Sequence, residues 1–189
     1  MEPDELLGYV RNACERLEVT YMVVGSIASI AYGETRFTND IDVVIDLPSE
    51  KADAFCASFP VEEFYVSRQA VTQAVAKHSQ FNVIHPASGL KVDFIVLSES
   101  DFDQSRRQRR RQLSVLPVGP MWFASPEDVI LKKMVYFQEG GSDKHLRDIA
   151  GVLRIQRNRL DRDYVAGWAK LLGVETVWQS LVAKEQEPE

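Results

Sequence analysis

Two aspartates, Asp40 and Asp42, stand at the start of an apolar, β-branched segment that ends at Ile45. The residue types predict a strand over Ile41–Ile45, and side chains at i and i+2 of a strand point to the same face. Two carboxylates held side by side repel each other unless a cation intervenes. Mg²⁺ (or Mn²⁺) prefers such a pair, with water and phosphate oxygens completing its coordination. The segment therefore predicts a strand whose first residues bind a divalent cation.

A third aspartate, Asp93, interrupts the apolar run from Lys91 to Leu97. An unpaired carboxylate inside an apolar strand is costly, so a charge at this place suggests a purpose. If this strand lies beside the strand of Asp40 and Asp42, three carboxylates converge. Such a group can bind two metal ions, activate an attacking hydroxyl and stabilise phosphoryl oxygens.

The dipeptide Gly25-Ser26 follows the short apolar run Tyr21–Val24, which is predicted to be a buried strand. A glycine at the end of a strand lets a phosphate approach the backbone closely. The free N–H groups of the helix predicted over residues 26–32 would face that phosphate. The hydroxyl of Ser26 adds a further donor, so the dipeptide predicts a phosphate-binding turn.

The order of helical and strand patterns predicts an α+β fold. Helices are predicted over residues 4–17, 26–32, 48–58 and 67–77, and strands over 21–24, 41–45, 64–66, 81–85, 91–97 and 113–118. Ser125 followed by a proline and two acids is typical of a helix start, and helices are predicted over 126–138, 143–156, 162–172 and 174–186. We therefore expect a core domain over residues 1–120 and a helical subdomain over 121–189.

Together, Gly25-Ser26, the Asp40-x-Asp42 pair and Asp93 resemble the signature of the nucleotidyltransferase superfamily, which has the polymerase-beta-like fold. A longer pattern, from Gly25-Ser26-Ile27-Ala28 through Gly33, Arg36 and Thr38 to Asp42, is similar to AbiEii-type toxins of type IV toxin–antitoxin systems and their small uncharacterised relatives. The later runs Ser125–Lys133 and Lys144–Ile149 are similar to the same proteins, so the resemblance covers roughly residues 5–155.

The resemblance implies a mixed sheet flanked by helices and assigns a role to each matching residue. It places the metal ions on Asp40, Asp42 and Asp93, with Asp93 also activating the acceptor. It places the nucleotide on Gly25, Ser26, Arg36, Thr38, Lys132 and Lys133. For the two lysines, an exposed helix face is an equally good interpretation.

The implied reaction is transfer of a nucleotidyl group from a nucleoside triphosphate, ATP or GTP, to a hydroxyl acceptor, with release of pyrophosphate. The acceptor is left open between an RNA, a protein and a small molecule. The implied biological context is a toxin–antitoxin system, with an antitoxin as partner. The alternative is an inactive nucleotidyltransferase fold that serves as a nucleotide-binding or antitoxin-like regulatory module.

The formal charge of −6 argues against general nucleic-acid binding. Five arginines within Ser105–Gln112 are the exception, and they suggest either a phosphate contact or a solvated face. No apolar run approaches the roughly 18 residues of a membrane span, and the N-terminal segment lacks the pattern of a secretion signal. Cys14 and Cys56 are predicted to be buried, reduced thiols, so we expect a cytoplasmic protein. The oligomeric state stays open.

Overall fold

The computed structural model describes residues 1–35, 38 and 40–186 of the chain. They form two compact units, Met1–Ile27 with Phe37–Ala124, and Ala28–Arg36 with Ser125–Glu189. All the strands among the described residues lie in the first unit, and the second unit is helical. The predicted α+β class, with a mixed sheet and a helical C-terminal part, is confirmed. That residues 1–120 and 121–189 are separate domains stays a prediction.

The strands of the first unit form one mixed sheet. They are β1 (Thr20–Val24), β2 (Asp40–Asp46), β3 (Tyr65–Val66), β4 (Gln80–His85), β5 (Leu90–Val96), β6 (Arg111–Val115) and β7 (Gly119–Phe123). Their order across the sheet is β3-β4-β5-β2-β1-β7-β6. At its centre, β2 runs antiparallel to β1 and parallel to β5.

The helices of the first unit are α1 (Pro3–Arg16), α2 (Gly25–Tyr32), α3 (Ala52–Cys56), α4 (Arg68–Lys77) and α5 (Asp101–Arg109), of which α2 ends in the second unit. Those of the second unit are α6 (Pro126–Gly140), α7 (Asp143–Gln156), α8 (Arg162–Leu171) and α9 (Glu175–Gln186). None of these described helices has the length and apolar character of a membrane span.

An aromatic cluster packs on the sheet face opposite to Asp93. Phe94 is fully buried there and stacks on Phe81 of the neighbouring strand, with ring centroids 5.1 Å apart. Phe55 of α3 meets Phe94 edge to face at 5.2 Å. Alternation along β5 therefore buries Phe94 on one face and leaves Asp93 on the other, partly exposed. Cys14 and Cys56 are buried free thiols, as predicted.

The strand predicted over 113–118 is wrong in detail, and the next strand and the helix after Ser100 are not predicted by the sequence pattern. The strand predicted over 113–118 ends at Val115, and the next segment, Gly119–Phe123, is a further strand that the sequence did not indicate. Gly and Pro at its start mask the signal, and its support comes from a distant strand, where Val23 pairs with Phe123. The polar stretch after Ser100 is a helix with Ser100 as its N-cap.

The helix start predicted at Ser125 is confirmed in the second unit. The Ser125 hydroxyl accepts a hydrogen bond from the backbone N–H of Asp128, and Pro126 occupies the first helical position. The hydroxyl of Tyr164 on α8 donates to the carboxylate of Asp128 at 2.7 Å. The buried Asp128 carboxylate thus accepts hydrogen bonds from the hydroxyls of both Ser125 and Tyr164. The bond from Tyr164 connects α8 to the start of α6.

Candidate active site

Asp42 and Asp93 lie directly opposite each other on the adjacent parallel strands β2 and β5. Neighbouring strands are about 4.8 Å apart, and residues paired in register share a face. Both side chains are partly exposed, and the residues that flank each of them in its strand are buried on the opposite face of the sheet. The strand adjacency on which the three-carboxylate prediction depended is therefore present.

Asp93 is held at both carboxylate oxygens by neighbouring side chains. Lys91 donates from Nζ to Oδ2 at 2.6 Å, and Asn82 of β4 donates from Nδ2 to Oδ1 at 3.0 Å. Sequence analysis assigned no role to either residue. The i, i+2 spacing of Lys91 and Asp93 was visible in the sequence, whereas Asn82 reaches Asp93 only through the antiparallel pairing of β4 with β5.

Asp40 is the exposed first residue of β2 and pairs in register with Lys91. Its backbone N–H donates to the Thr38 hydroxyl at 3.3 Å, so Thr38 supports the entry into the strand. Arg36, assigned to the nucleotide by the resemblance, lies outside the described residues. The nucleotide-binding roles of Thr38 and Arg36 stay predictions.

Gly25 packs its backbone against the carboxylate of Asp42. Val24 pairs with Asp42 across β1 and β2, and the chain then turns at Gly25 with a φ of +62°. A Cβ at this position would lie 2.0 Å from Oδ2 of Asp42. No side chain fits in that space, and the backbone conformation itself favours glycine. Gly25, the glycine of the predicted phosphate turn, thus also leaves room for the carboxylate of Asp42 on β2.

Ser26, in the first turn of α2, is buried. The helix begins at Gly25, so its first backbone N–H groups lie next to the Asp42 carboxylate that packs on Gly25. Backbone N–H groups at a helix start favour anions. The assignment of Gly25 and Ser26 to a nucleotide stays a prediction.

The residues around Asp42 and Asp93, on the central strands β2 and β5, suit a divalent cation. Their donor atoms are carboxylate oxygens, which Mg²⁺ and Mn²⁺ prefer, and the space at Gly25 leaves Asp42 room to lie beside Asp93. In the structure Asp93 is engaged by Lys91, and the described residues contain no group of three His, Cys, Asp or Glu side chains gathered closely enough to hold a metal. Metal binding by Asp40, Asp42 and Asp93 stays a prediction.

The two lysines assigned to nucleotide phosphates have different surroundings in the second unit. Lys133 is buried and forms an ion pair with Asp148 of α7 at 2.6 Å. Lys132 is partly exposed, and its ammonium lies 4.9 Å from the ring centroid of Tyr136. Lys133 thus links α6 to α7, and the nucleotide role of both lysines stays a prediction.

Replacing Lys133 by methionine is expected to cost about 3–5 kcal/mol of unfolding free energy, because it removes the buried ammonium that pairs with the carboxylate of Asp148. The double variant with Asp148→Asn should recover part of this loss, since it removes both charges. The measurement is urea unfolding followed by circular dichroism. Lys132→Met is the matched control, and an equal cost for both lysines would contradict a special role for the buried pair.

The arginine-rich run is used largely inside the first unit. Arg106 is buried and pairs with Asp103 at 2.8 Å, and Arg107 pairs with Asp46 at 3.1 Å. Arg110 lies over the ring of Trp122, 4.6 Å from its centroid. The interpretation of the run as a solvated face is wrong for Arg106. Arg107 and Arg110 attach the end of α5 and the chain that follows it to the sheet, whereas the pair of Arg106 with Asp103 lies within α5.

The Asp103 carboxyl, which pairs with Arg106 and accepts hydrogen bonds from Ser98, makes the stability of the first unit depend on pH. Burial alone would raise the pKa of Asp103, but hydrogen bonds from Ser98 and the charge of Arg106 more than offset it, so the pKa is lowered. A carboxyl with a lowered folded pKa stabilises the fold above its unfolded pKa of about 3.9, and this contribution is lost as the pH falls through the folded value.

We therefore expect the unfolding free energy of the wild type to exceed that of Asp103→Asn near neutral pH, and the difference to shrink as the pH falls below about 4. The measurement is urea unfolding at a series of pH values. Asp101→Asn, an exposed acid in the same helical turn, is the charge-matched control. A difference that is constant across this pH range would contradict the assignment.

The seven-stranded mixed sheet, with its acids on β2 and β5 and its turn at Gly25, is a nucleotidyltransferase fold. Solved structures show this likeness. The crystal structure of ANT(2'')-Ia in complex with adenylyl-2''-tobramycin matches with a TM-score of 0.59 at 15% identity, covering 94% of this chain and 97% of that chain. An antigenic nucleotidyltransferase-like protein from Paracoccidioides brasiliensis matches with a TM-score of 0.57 at 17% identity, covering 96% and 92%.

The lincomycin-bound lincosamide antibiotic adenylyltransferase LnuA matches with a TM-score of 0.54 at 15% identity, covering 82% of this chain and 98% of that chain. No protein-family model and no curated protein sequence matches this chain. At these identities the likeness is one of fold.

Proposed function

We propose that this protein is a divalent-cation-dependent nucleotidyltransferase that transfers a nucleotidyl group from a nucleoside triphosphate to a hydroxyl acceptor. The observation that carries the proposal is the in-register placement of Asp42 and Asp93 on adjacent parallel strands, with Gly25 packed against Asp42. Each of these residues was singled out by its sequence pattern alone. The fold likeness to the lincosamide antibiotic adenylyltransferase LnuA, and to ANT(2'')-Ia in complex with adenylyl-2''-tobramycin, supports the same class of reaction.

In the proposed reaction the acceptor oxygen attacks the α-phosphorus, the bond to the bridging oxygen of the β-phosphate breaks, and pyrophosphate leaves. Asp93 receives the acceptor proton, and Asn82 keeps its carboxylate oriented. Ser26 and the first N–H groups of α2 bind the phosphates. Asp40, Asp42 and Asp93 would hold a divalent cation, which would neutralise charge at the phosphoryl oxygens and activate the hydroxyl.

We further propose a small hydroxyl-bearing molecule as the acceptor. Two of the structural neighbours are described with adenylyl-tobramycin and lincomycin, which are small molecules. A polyanionic RNA acceptor is disfavoured by the formal charge of −6 and by the internal use of Arg106, Arg107 and Arg110. An RNA or protein acceptor is the alternative outcome of the assay below.

The assay supplies the purified protein with each of the four nucleoside triphosphates, labelled at the α-phosphate, together with Mg²⁺, Mn²⁺ or EDTA. Acceptors are added as separate classes: a panel of aminoglycosides and lincosamides, total RNA, and total protein. We expect metal-dependent transfer of label to a small molecule. Nucleotide binding that needs no metal, is unchanged in Asp42→Asn and labels no acceptor would instead support the inactive regulatory module.

The toxin–antitoxin context is a separate proposal that rests on the resemblance to AbiEii-type toxins. Its test is induced expression in a bacterial host. Growth arrest by the wild-type chain, relieved by Asp42→Asn, would support a toxin, and normal growth at equal protein levels would contradict it.

A further inference from the structure

Lys91 supplies a positive charge within the acidic group. Its ammonium lies 2.6 Å from Oδ2 of Asp93, and its residue pairs in register with Asp40. Asp42 pairs in register with Asp93, so Lys91 and all three acids lie on the same face of the sheet.

The position of this ammonium conflicts with metal binding. A Mg²⁺ ion needs a carboxylate lone pair at about 2.0–2.1 Å, and in the structure Oδ2 of Asp93 accepts a hydrogen bond from the Lys91 ammonium. Two cations this close to one oxygen repel each other strongly. The Lys91 side chain is 46% exposed, so it has room to turn towards solvent when a metal ion arrives.

We propose that Lys91 is an internal counter-cation that neutralises the acidic group in the metal-free protein and is displaced when a divalent cation binds. The inference rests on the proposed function, because it takes Asp40, Asp42 and Asp93 as the metal site. Lys91 then lowers the affinity for the metal, and in return it stabilises the metal-free fold against repulsion among the carboxylates. Lys91 therefore positions the Asp93 carboxylate and competes with the metal ion for it, and it does not contact the reacting atoms.

The test compares wild type with Lys91→Met, Lys91→Arg and Lys77→Met, an exposed lysine at the end of α4. Mn²⁺ affinity is measured by titration with detection of free Mn²⁺ by electron paramagnetic resonance. We expect Lys91→Met to bind Mn²⁺ about tenfold more tightly than wild type, since the competing charge is gone. Lys91→Arg, which retains the charge, and Lys77→Met should remain close to wild type.

A second readout is thermal unfolding without and with Mn²⁺. In EDTA, Lys91→Met should unfold at a lower temperature than wild type, and saturating Mn²⁺ should close the gap, because the metal replaces the missing charge. This measurement is independent of any enzymatic activity.

The outcomes separate this inference from the proposed function. Equal or weaker Mn²⁺ binding by Lys91→Met, alongside wild-type binding that Asp42→Asn abolishes, overturns the role of Lys91 and leaves the metal site in place. Absence of Mn²⁺ binding in both wild type and Lys91→Met overturns the metal site and, with it, the inference. Tighter binding by Lys91→Met that Lys91→Arg does not share supports both.

Discussion

Asp42→Asn is expected to lower the rate of nucleotidyl transfer by at least roughly 10³-fold, or about 4 kcal/mol of transition-state stabilisation. The substitution keeps the shape of a side chain that packs on Gly25, but it removes the charge that the cation requires. The fold should be little affected, since one of several like charges is removed. The measurements are the initial rate of label transfer and the midpoint of thermal unfolding.

Asp53→Asn is the charge-matched control for this prediction. Asp53 lies on α3, is 82% exposed and forms a long, exposed ion pair with Arg68. Its replacement changes the net charge equally and should leave the rate unchanged. If Asp42→Asn keeps wild-type turnover, or loses activity only because it unfolds, the assignment of Asp42 to the catalytic site is wrong.

The second large effect is expected for Gly25→Ala. Its Cβ would lie 2.0 Å from the Asp42 carboxylate, so the carboxylate or the turn must move. The substitution should reduce the transfer rate by about 10²-fold or more, because displacement of a catalytic group by 1 Å is enough for such a loss. It should also cost about 2–4 kcal/mol of unfolding free energy, from the clash and from the left-handed backbone.

Gly89→Ala separates these two causes. Gly89 lies in the turn between β4 and β5 with a φ of +71°, similar to Gly25, but nothing lies within 4 Å of its added Cβ. Gly89→Ala should lower the unfolding free energy by about 1 kcal/mol, the cost of the left-handed backbone alone, and leave activity intact. Rates and urea unfolding of both variants provide the comparison. Equal behaviour of the two would show that the contact with Asp42 has no importance.

The sequence allowed the strands and acids to be predicted because their signals are local. Alternation on β2 places Asp40 and Asp42 on one face whatever the rest of the chain does. The turn at Gly25 follows from a glycine after an apolar run. The closeness of Asp93 to Asp42 was conditional on the pairing of two strands far apart in the chain, and the structure shows that pairing.

Other features of the site depend on contacts that no local pattern encodes. Asn82 binds Asp93 through the register of an antiparallel pair, and β7 owes its strand conformation to β1. The density of charge in the arginine-rich run suggested an exposed segment. Arg106 is nevertheless buried, and it forms an ion pair with Asp103. Long side chains lower their energy by pairing within the fold, and composition alone does not show where those partners lie.

Because these arginines form contacts within the fold, they affect how the protein associates with charged ligands. Arg106 is buried, and Arg107 is neutralised by Asp46, so these positive charges project little field into solvent from a chain that already carries a formal charge of −6. Long-range attraction then speeds the approach of polycationic molecules and slows that of polyanions, and added salt weakens both effects. A triphosphate that is already bound to a divalent cation carries less negative charge, so the protein repels it less than it repels a free triphosphate.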